Sequence, residues 1–465
     1  MKKAIALAAC LLLLGAAVSA NSGPTYWEQA PSFSMTALKD CPVTVEREDL
    51  SFDFSANEHS DFSPKAEVTA AYQMKNPTEA ALRVQMAFPL ISSLHDLSSA
   101  TGVRITADGK NIPFQVFVGD KSAKTGMTRN YYNDDGTLNA KNLSFDQILN
   151  SVSENAAPLQ KLKDSGKLYR FSSGGKSCNL KVGFEIDPKK TSILCNGFNG
   201  FRFDKNGNGK IELIGWQAQG ELAPVKFLAV GDEIKNLTVK AYKVGSDTET
   251  LPDLIPKTET SSQGTGDFIK EMLRSTSEFA EQILPAVEKQ IDAEISEGQT
   301  VMDDSIVADL CSENHIIVLA YEIPFAANSV SNVSVRYSMG GAMDSSIASQ
   351  PVYSYGYLLN PAKGWAKFSN LNITVSPPKL SPYVVKSSVA LTRGGDGTYS
   401  AKLSSLPQSD LAFTLYAKPQ ITPDDKPVNK SYDSATKFLL VLASAAAIII
   451  TTAIFIKLRK RKSVH

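Results

Sequence analysis

Oxygen-bearing side chains are concentrated in one short stretch, Asp204-Lys205-Asn206-Gly207-Asn208-Gly209-Lys210-Ile211-Glu212. Carboxylate or amide oxygens stand at its first, third, fifth and ninth positions, and glycine stands at the sixth. Hard cations such as Ca²⁺ bind several oxygen ligands, and glycine permits the sharp turn that brings those ligands together. We therefore predict a structural calcium site formed by Asp204, Asn206, Asn208, the backbone carbonyl of Lys210, and Glu212.

This stretch resembles the beginning of an EF-hand-type calcium loop, with one departure. The position that carries a bidentate glutamate in such loops is occupied here by Gly215. The flanking residues 201–203 and 211–213 have the apolar alternation of strands, which also favours a second interpretation, a Gly/Asn-rich β-turn without a metal. Apart from this possible calcium, the sequence predicts no cofactor.

A second feature is a stripe of aromatic residues, in which Tyr353, Tyr355 and Tyr357 alternate along the chain and Trp365 follows. Residues two apart on a strand share one face, so the three tyrosines would form a flat aromatic surface. A sugar ring or a peptide could stack on such a ligand platform. Packing of the same rings within a core is the alternative.

Known catalytic motifs are absent from the sequence. None of the histidines belongs to an HExxH motif, and the sequence has no GxSxG, no CxxC and no phosphate-binding glycine loop. We therefore assign no catalytic residue. A pair of carboxylates brought together from distant loops, as in glycoside hydrolases, has no readable spacing, so an extracellular hydrolase of glycans or peptides remains the alternative function.

Two apolar segments bracket the chain. Residues 1–20 combine two lysines, an apolar run and the small residues Val18-Ser19-Ala20, as in a secretory signal peptide that is cleaved before Asn21. Residues 437–457 form an apolar stretch long enough to cross a bilayer, and the basic tail 458–465 follows. We expect a single-pass protein of a bacterial cell membrane, with its N-terminus outside and its C-terminus in the cytoplasm.

Four cysteines remain after removal of this leader: Cys41, Cys178, Cys195 and Cys311. An even number outside the cytoplasm suggests disulfides, for which three connectivities exist. Cys178 with Cys195 is favoured because the residues between them have the pattern of a hairpin that turns at 187–190. The alternative is four reduced, buried thiols.

The charge distribution limits the partners of the predicted ectodomain, residues 21–436. Two of the 48 basic residues lie in the leader and six lie from Lys437 onward, whereas all 48 acidic residues lie between these ends. The ectodomain therefore has a net charge of −8. This balance argues against nucleic acid as a partner, because phosphate backbones require basic surfaces.

Alternating strand patterns predict a mainly β fold with helical insertions (α+β). We expect two antiparallel, Ig-like β-sandwich regions plus one C-terminal transmembrane helix. The predicted segments, in chain order, are a β-rich domain with a helical insertion at 21–244, a linker at 245–266, a helix at 267–298, a second sandwich at 299–418 and a stalk at 419–436. Similar strings at 68–74 and 333–339 hint at a duplication.

These features indicate a membrane-anchored bacterial surface protein with a binding role. The ligand would be a surface glycan or a protein. Alternatively, the ectodomain would be the extracytoplasmic part of a complex with another membrane protein, since the short cytoplasmic tail cannot carry a signalling domain of its own.

Overall fold

The computed structural model describes residues 18–28, 34–55, 63–97, 102–121, 144–154, 159–204, 209–220, 223–246, 248–273, 279–312, 314–345, 347–422 and 424–425. The predicted transmembrane segment 437–457 and tail 458–465 lie outside these ranges, as do most of the stalk and of the leader. Within the ranges that are described, no helix is both long enough and apolar enough to span a membrane.

Strands make up most of the regular structure, which confirms the predicted mainly β class. The strands of the first part of the chain are β1 (Val18–Ala20), β2 (Gly23–Glu28), β3 (Ser34–Ala37), β4 (Thr44–Asp53), β5 (Lys65–Lys75), β6 (Leu82–Ser93), β7 (Arg104–Ala107), β8 (Lys110–Asn111) and β9 (Phe114–Lys121). Those of the middle part are β10 (Ser165–Ser172), β11 (Cys178–Glu185), β12 (Thr191–Asn196), β13 (Gly200–Phe203), β14 (Lys210–Gln217), β15 (Val225–Gly231), β16 (Lys235–Tyr242), β17 (Lys257–Gly264) and β18 (Val301–Met302). Those of the last part are β19 (Asn314–Phe325), β20 (Val330–Gly340), β21 (Ala342–Asp344), β22 (Val352–Leu358), β23 (Lys367–Phe368), β24 (Leu371–Ser376), β25 (Tyr383–Ser387), β26 (Thr392–Arg393), β27 (Tyr399–Leu403) and β28 (Leu411–Tyr416). The helices are α1 (Leu94–Leu97), α2 (Phe145–Glu154), α3 (Thr265–Leu273), α4 (Ala280–Ser296) and α5 (Asp304–Ser312), together with a 3₁₀ helix at Asn360–Gly364.

Two large sheets pack face to face and share one apolar core. One runs in the order β25-β28-β22-β1-β6-β19-β9, with β2, β3 and β21 attached to it. The other runs β26-β27-β24-β4-β5-β20-β7-β8, with β23 on β4. Phe52 of β4 contacts the ring of Tyr357 across the gap between the sheets, and Phe88 of β6 contacts Tyr337 in the same way. The two sheets therefore form a single sandwich.

This sandwich is built by both ends of the described chain, which differs from the predicted succession of two separate sandwiches. β5 pairs with β20 along its whole length, so Tyr72 lies opposite Val333 and Val68 lies opposite Tyr337. The two similar strings at 68–74 and 333–339 are thus neighbours in one sheet. The sheets are also mixed rather than purely antiparallel, because β4 pairs with β24 in parallel and β1 does so with β22.

A smaller sandwich is inserted between the two halves of the large one. Its five-stranded sheet has the order β17-β10-β15-β12-β18 and its four-stranded sheet the order β13-β14-β11-β16. Phe227 occupies the centre of its separate core, where its ring stacks on Tyr169 and on Phe184 with centroid distances of 4.8 and 4.7 Å. The predicted linker 245–266 is not wholly irregular, because β17 forms the edge of the five-stranded sheet.

Helices fill the space beside these sheets. The predicted helix 267–298 is divided into α3 and α4, whose buried residues Phe268 and Ile283 belong to the large core. α2 begins with a capping box, in which Ser144 and Gln147 exchange side-chain to backbone hydrogen bonds of 2.8 and 3.2 Å. The apolar side of α2 packs on the outer face of the ten-stranded sheet, where Leu149 joins a cluster with Val318.

Candidate functional site

The predicted calcium-binding stretch spans the turn between β13 and β14. Asp204 donates its backbone N–H to the carbonyl of Lys210 over 3.1 Å, which closes the hairpin. Gly209 has φ +68°, and a Cβ at this position would lie 2.0 Å from the backbone oxygen of Ile186, so the turn requires glycine. Residues 205–208, which include Asn206 and Asn208, lie outside the described ranges.

The remaining predicted ligand, Glu212, is engaged by basic side chains. Its Oε1 lies 3.1 Å from Nη1 of Arg202 and 3.7 Å from Nζ of Lys181. Among the described residues, no group of three or more His, Cys, Asp or Glu side chains is arranged to hold a metal. Calcium binding by this loop stays a prediction.

The tyrosine stripe belongs to the core, so the alternative interpretation of it is correct and the exposed ligand platform is not formed. Tyr355 and Tyr357 are fully buried, Trp365 is buried and Tyr353 is half-buried. The reason is the position of β22, an interior strand whose inner face is covered by the opposite sheet. The ring of Tyr355 accordingly contacts that of Phe54, which follows β4 of the opposite sheet, with a centroid distance of 4.9 Å, and it also stacks on Phe413 of the neighbouring strand β28.

The four cysteines in the described part of the chain are buried free thiols, so the expected disulfides between them are not formed in the structure. Cys178 and Cys195 lie on β11 and β12, which belong to opposite sheets of the small sandwich rather than to one hairpin. Burial raises the pKa of the Cys195 thiol well above its usual value, and the nearby carboxylates of Asp303 and Asp304 raise it further. Cys41 and Cys311 are buried within the large core.

An aromatic row lies on the outer face of the four-stranded sheet, a surface that the sequence analysis did not single out. The strand registers place Trp216 of β14, Asn179 of β11 and Tyr242 of β16 side by side. Trp216 is 49% exposed, and the other two side chains are partly exposed. The alternating burial of β11 and β14 shows why, because every second residue fills the small core and the others face away from it.

Basic side chains adjoin this row. Lys181 and Lys240 are opposite each other in the next row, and Nζ of Lys181 lies 4.8 Å from the centroid of the Tyr242 ring. Arg202 and Glu212 form an ion pair one row further along. The face therefore combines exposed aromatic rings with an excess of positive charge, although the predicted ectodomain as a whole is acidic.

A buried polar cluster lies inside the large sandwich around Glu48, which has 0% exposure. Oε2 of Glu48 accepts a hydrogen bond of 2.5 Å from Nδ2 of Asn21, and Oε1 accepts one of 3.2 Å from the hydroxyl of Tyr357. Burial raises the pKa of Glu48 to about 8, against the opposing effect of these hydrogen bonds. The neighbouring residue Ser22 accepts a 2.8 Å hydrogen bond at its carbonyl from Nε1 of Trp365.

Sequence patterns predicted the aromatic row and the polar cluster around Glu48 only in part. Alternation predicts strands at 180–186 and 210–216, but it does not tell which side of a strand is covered. The burial of Glu48 could not be predicted from its neighbours in sequence either. Alternation indicates the strand, but it does not show that a carboxylate on that strand faces the core.

Comparisons with known proteins give little further information. No family model matches the chain, and no curated protein matches it. A solved structure from Legionella pneumophila, described as a "putative nutrient binding protein", aligns with 87% of this chain and 71% of its own length, at 8% sequence identity and a TM-score of 0.33. A TM-score at this level establishes neither a shared fold nor a shared ligand.

Proposed function

We propose that this chain is an extracytoplasmic binding protein, anchored in a bacterial membrane, that recognises an acidic glycan on the outer face of its small sandwich. The observation that carries the proposal is the row formed by Trp216, Asn179 and Tyr242. Neighbouring strands are about 4.8 Å apart, so the two aromatic side chains start about 10 Å from each other. Such spacing suits two rings of an extended glycan, with the amide between them placed to bond a hydroxyl.

The chemistry of the rings supports a sugar ligand. The apolar side of a sugar ring stacks on an aromatic face, while tryptophan and tyrosine keep polar groups at their rims for hydrogen bonds. Trp216 is a large apolar side chain that is 49% exposed, and contact with a ligand would remove its ring from water.

The charges favour an acidic ligand over a neutral one. Lys181, Lys240 and Arg202 outnumber Glu212 on this face, and carboxylate or sulfate groups of a glycan would find cations within reach. Binding should then weaken as salt is added, because exposed charge pairs are screened. The predicted leader and membrane segment would hold this face outside the cell.

The test is affinity electrophoresis of the ectodomain through gels that contain acidic or neutral polysaccharides. We expect Trp216→Ala to weaken binding at least about tenfold, which corresponds to the loss of one stacked ring. Tyr26→Ala is the matched control, since Tyr26 is an aromatic side chain of similar exposure, 51%, on a different sheet.

Three outcomes would contradict the proposal. The first is no retardation by any polysaccharide, and the second is an equal effect of the Trp216 and Tyr26 substitutions. Release of new reducing ends from the polysaccharide, abolished by substitution of a single acid, would instead favour the hydrolase alternative.

A further inference from the structure

The carboxyl group of Glu48 lies in the core of the large sandwich. No basic side chain of the described residues forms an ion pair with it, and the charged group that acts on it most is the carboxylate of Asp49, of the same sign. A buried carboxylate that lacks a cation is unfavourable, and natural cores rarely keep one without a reason. An ionised Glu48 would therefore lack a compensating positive charge at this site, and burial accordingly favours its neutral form.

Asn21 is the residue that contacts this carboxyl group. Its backbone nitrogen donates to the carbonyl of Leu358 over 2.6 Å, and its side-chain Nδ2 donates to Glu48. Its Oδ1 is buried and has no hydrogen-bond partner among the described residues. Because the backbone and side-chain nitrogens belong to one residue, the backbone nitrogen is separated from the carboxylate by no more than the length of the asparagine side chain plus one hydrogen bond.

Residues on both sides of the sandwich fix Asn21 and the next residue in place. Ser22 exchanges a 2.6 Å hydrogen bond between its hydroxyl and that of Tyr321, and its carbonyl accepts from Trp365. This part of the chain is fully buried. The backbone nitrogen of Asn21 is thus held in one position, and that position coincides with the predicted cleavage site.

We infer that Glu48 is the binding site for the α-ammonium group that signal cleavage creates at Asn21. The inference rests on the predicted cleavage and is independent of the glycan proposal. Hydrolysis breaks the C–N bond between Ala20 and Asn21, adds the hydroxyl of water to the Ala20 carbonyl, and leaves a protonated amine on Asn21. The mature N-terminus then supplies the missing charge as a buried ion pair.

The hydrogen-bond count agrees with this assignment. A peptide nitrogen donates one N–H, and that bond goes to Leu358. An ammonium group has three, so two further N–H groups become available for the Glu48 carboxylate and the unpaired Oδ1 of Asn21. One proteolytic event would therefore supply a cation to the Glu48 carboxylate and a donor to Oδ1 of Asn21, which has no hydrogen-bond partner among the described residues.

Titration behaviour supports the same view. The raised pKa of Glu48 keeps the carboxyl group largely neutral at pH 7 in the uncleaved chain. The titratable groups that act on it are the hydroxyls of Tyr72 and Tyr357 and, from the opposite face of the same strand, the carboxylate of Asp49, and none of these is a cation. An ammonium group nearby would favour the ionised carboxylate.

Cleavage also has a consequence for the sheet. In the uncleaved chain β1 lies between β22 and β6, with Ser19 opposite both Tyr357 and Leu90. The mature chain would lack β1 and would begin at Asn21, directly after the last residue of this strand. The ion pair would then hold the new end of the chain between the two neighbouring strands.

The experiment compares exported protein in four forms. These are the wild type, Glu48→Gln, a chain with one glycine inserted between Ala20 and Asn21, and the combination of both changes. Mass spectrometry first identifies the N-terminal residue of each. The inserted glycine moves the amine away from Glu48 by the length of one residue, while the sequence of the core is unchanged.

We expect Glu48→Gln to lower the Tm of the wild type by about 10 °C, since loss of one partner of a buried pair is strongly destabilising. The same substitution should change the Tm of the glycine-extended chain by no more than about 2 °C. The Glu48 carboxyl group of that chain is already neutral, and an amide has nearly the same size and shape. Glu46→Gln, on the same strand, is the matched control and should leave the Tm of both chains unchanged.

A second readout follows the amine itself. In the native wild type, acylation of the N-terminal peptide at pH 7.5 should be at least about tenfold slower than in the glycine-extended chain, because only a freely exposed, deprotonated amine reacts. This comparison remains available if Glu48→Gln does not fold.

Several results would overturn the inference. A mature chain that begins at Val18 would retain β1 and leave no amine at Asn21. Equal acylation of the wild-type and glycine-extended chains would show that the amine is not bound. Equal destabilisation of both chains by Glu48→Gln would assign Glu48 a hydrogen-bonding role alone.

Discussion

The hydroxyl of Tyr357 donates a hydrogen bond of 3.2 Å to Oε1 of Glu48, and this bond crosses the large sandwich from β22 to β4. The two residues lie on opposite sheets and are 309 positions apart in sequence. A pair of polar groups in this place links the beginning and the end of the chain in one core. This hydrogen bond should contribute measurably to the free energy of unfolding, because both partners are excluded from water.

Replacement of Tyr357 by phenylalanine removes the hydroxyl and keeps the ring. We expect the free energy of unfolding to fall by about 1–3 kcal/mol, because an acceptor of the buried Glu48 carboxyl group loses a donor. Urea unfolding of the purified ectodomain measures the change. Tyr353→Phe is the control on the same strand and should stay within about 0.5 kcal/mol of the wild type, since Tyr353 is only half-buried.

The raised pKa of Glu48 predicts a pH dependence of stability in a chain whose Asn21 nitrogen is still part of a peptide bond. The folded state keeps the proton up to about pH 8, whereas the unfolded state releases it near 4.5. The contribution of Glu48 is therefore fully present below pH 4.5 and is lost as the pH rises through 8. Urea titrations of the glycine-extended chain between pH 4 and 9 should show this decline.

Glu48→Gln should remove that decline, since an amide does not titrate. The difference between the two glycine-extended chains isolates Glu48 from the other carboxyl groups. Parallel pH profiles for both chains would contradict the prediction.

The state of the cysteines can be tested with a thiol reagent. We expect the native ectodomain to react slowly, because all four thiols are buried and burial raises the pKa of Cys195. After denaturation without reductant, four thiols should react per chain. A count of two, together with a peptide that links Cys178 to Cys195, would instead support the disulfide that the sequence favours.

The predicted calcium loop makes a separate prediction. Millimolar calcium should raise the Tm of the chelator-treated ectodomain by a few degrees, as expected for one weak structural site. Asp204→Asn should abolish this shift, whereas Asp253→Asn, a change at an exposed turn, should not. If calcium left the Tm of the wild type unchanged, the predicted site would be wrong, and the motif would be explained as a Gly/Asn-rich β-turn.

Local sequence patterns predicted several elements well. The alternation of Val68, Ala70 and Tyr72 predicts a strand with one buried face, and β5 has this pattern. Ser144 and Gln147 predict a capping box because both hydrogen bonds join residues three apart in sequence. In each case the interacting groups are close in the chain, so the necessary information is local.

The sequence alone determined the mainly β class and which residues of a strand share a face, whereas the leader and the membrane segment stay predictions. Only the tertiary structure decided that β5 pairs with β20, that Tyr355 and Tyr357 are covered, and that Trp216 is not. The physical reason is that a period-two pattern specifies which residues share a face, whereas the choice of partner strand depends on burying two such faces together. That choice is made between residues hundreds of positions apart, and it is what places Glu48 beside Asn21.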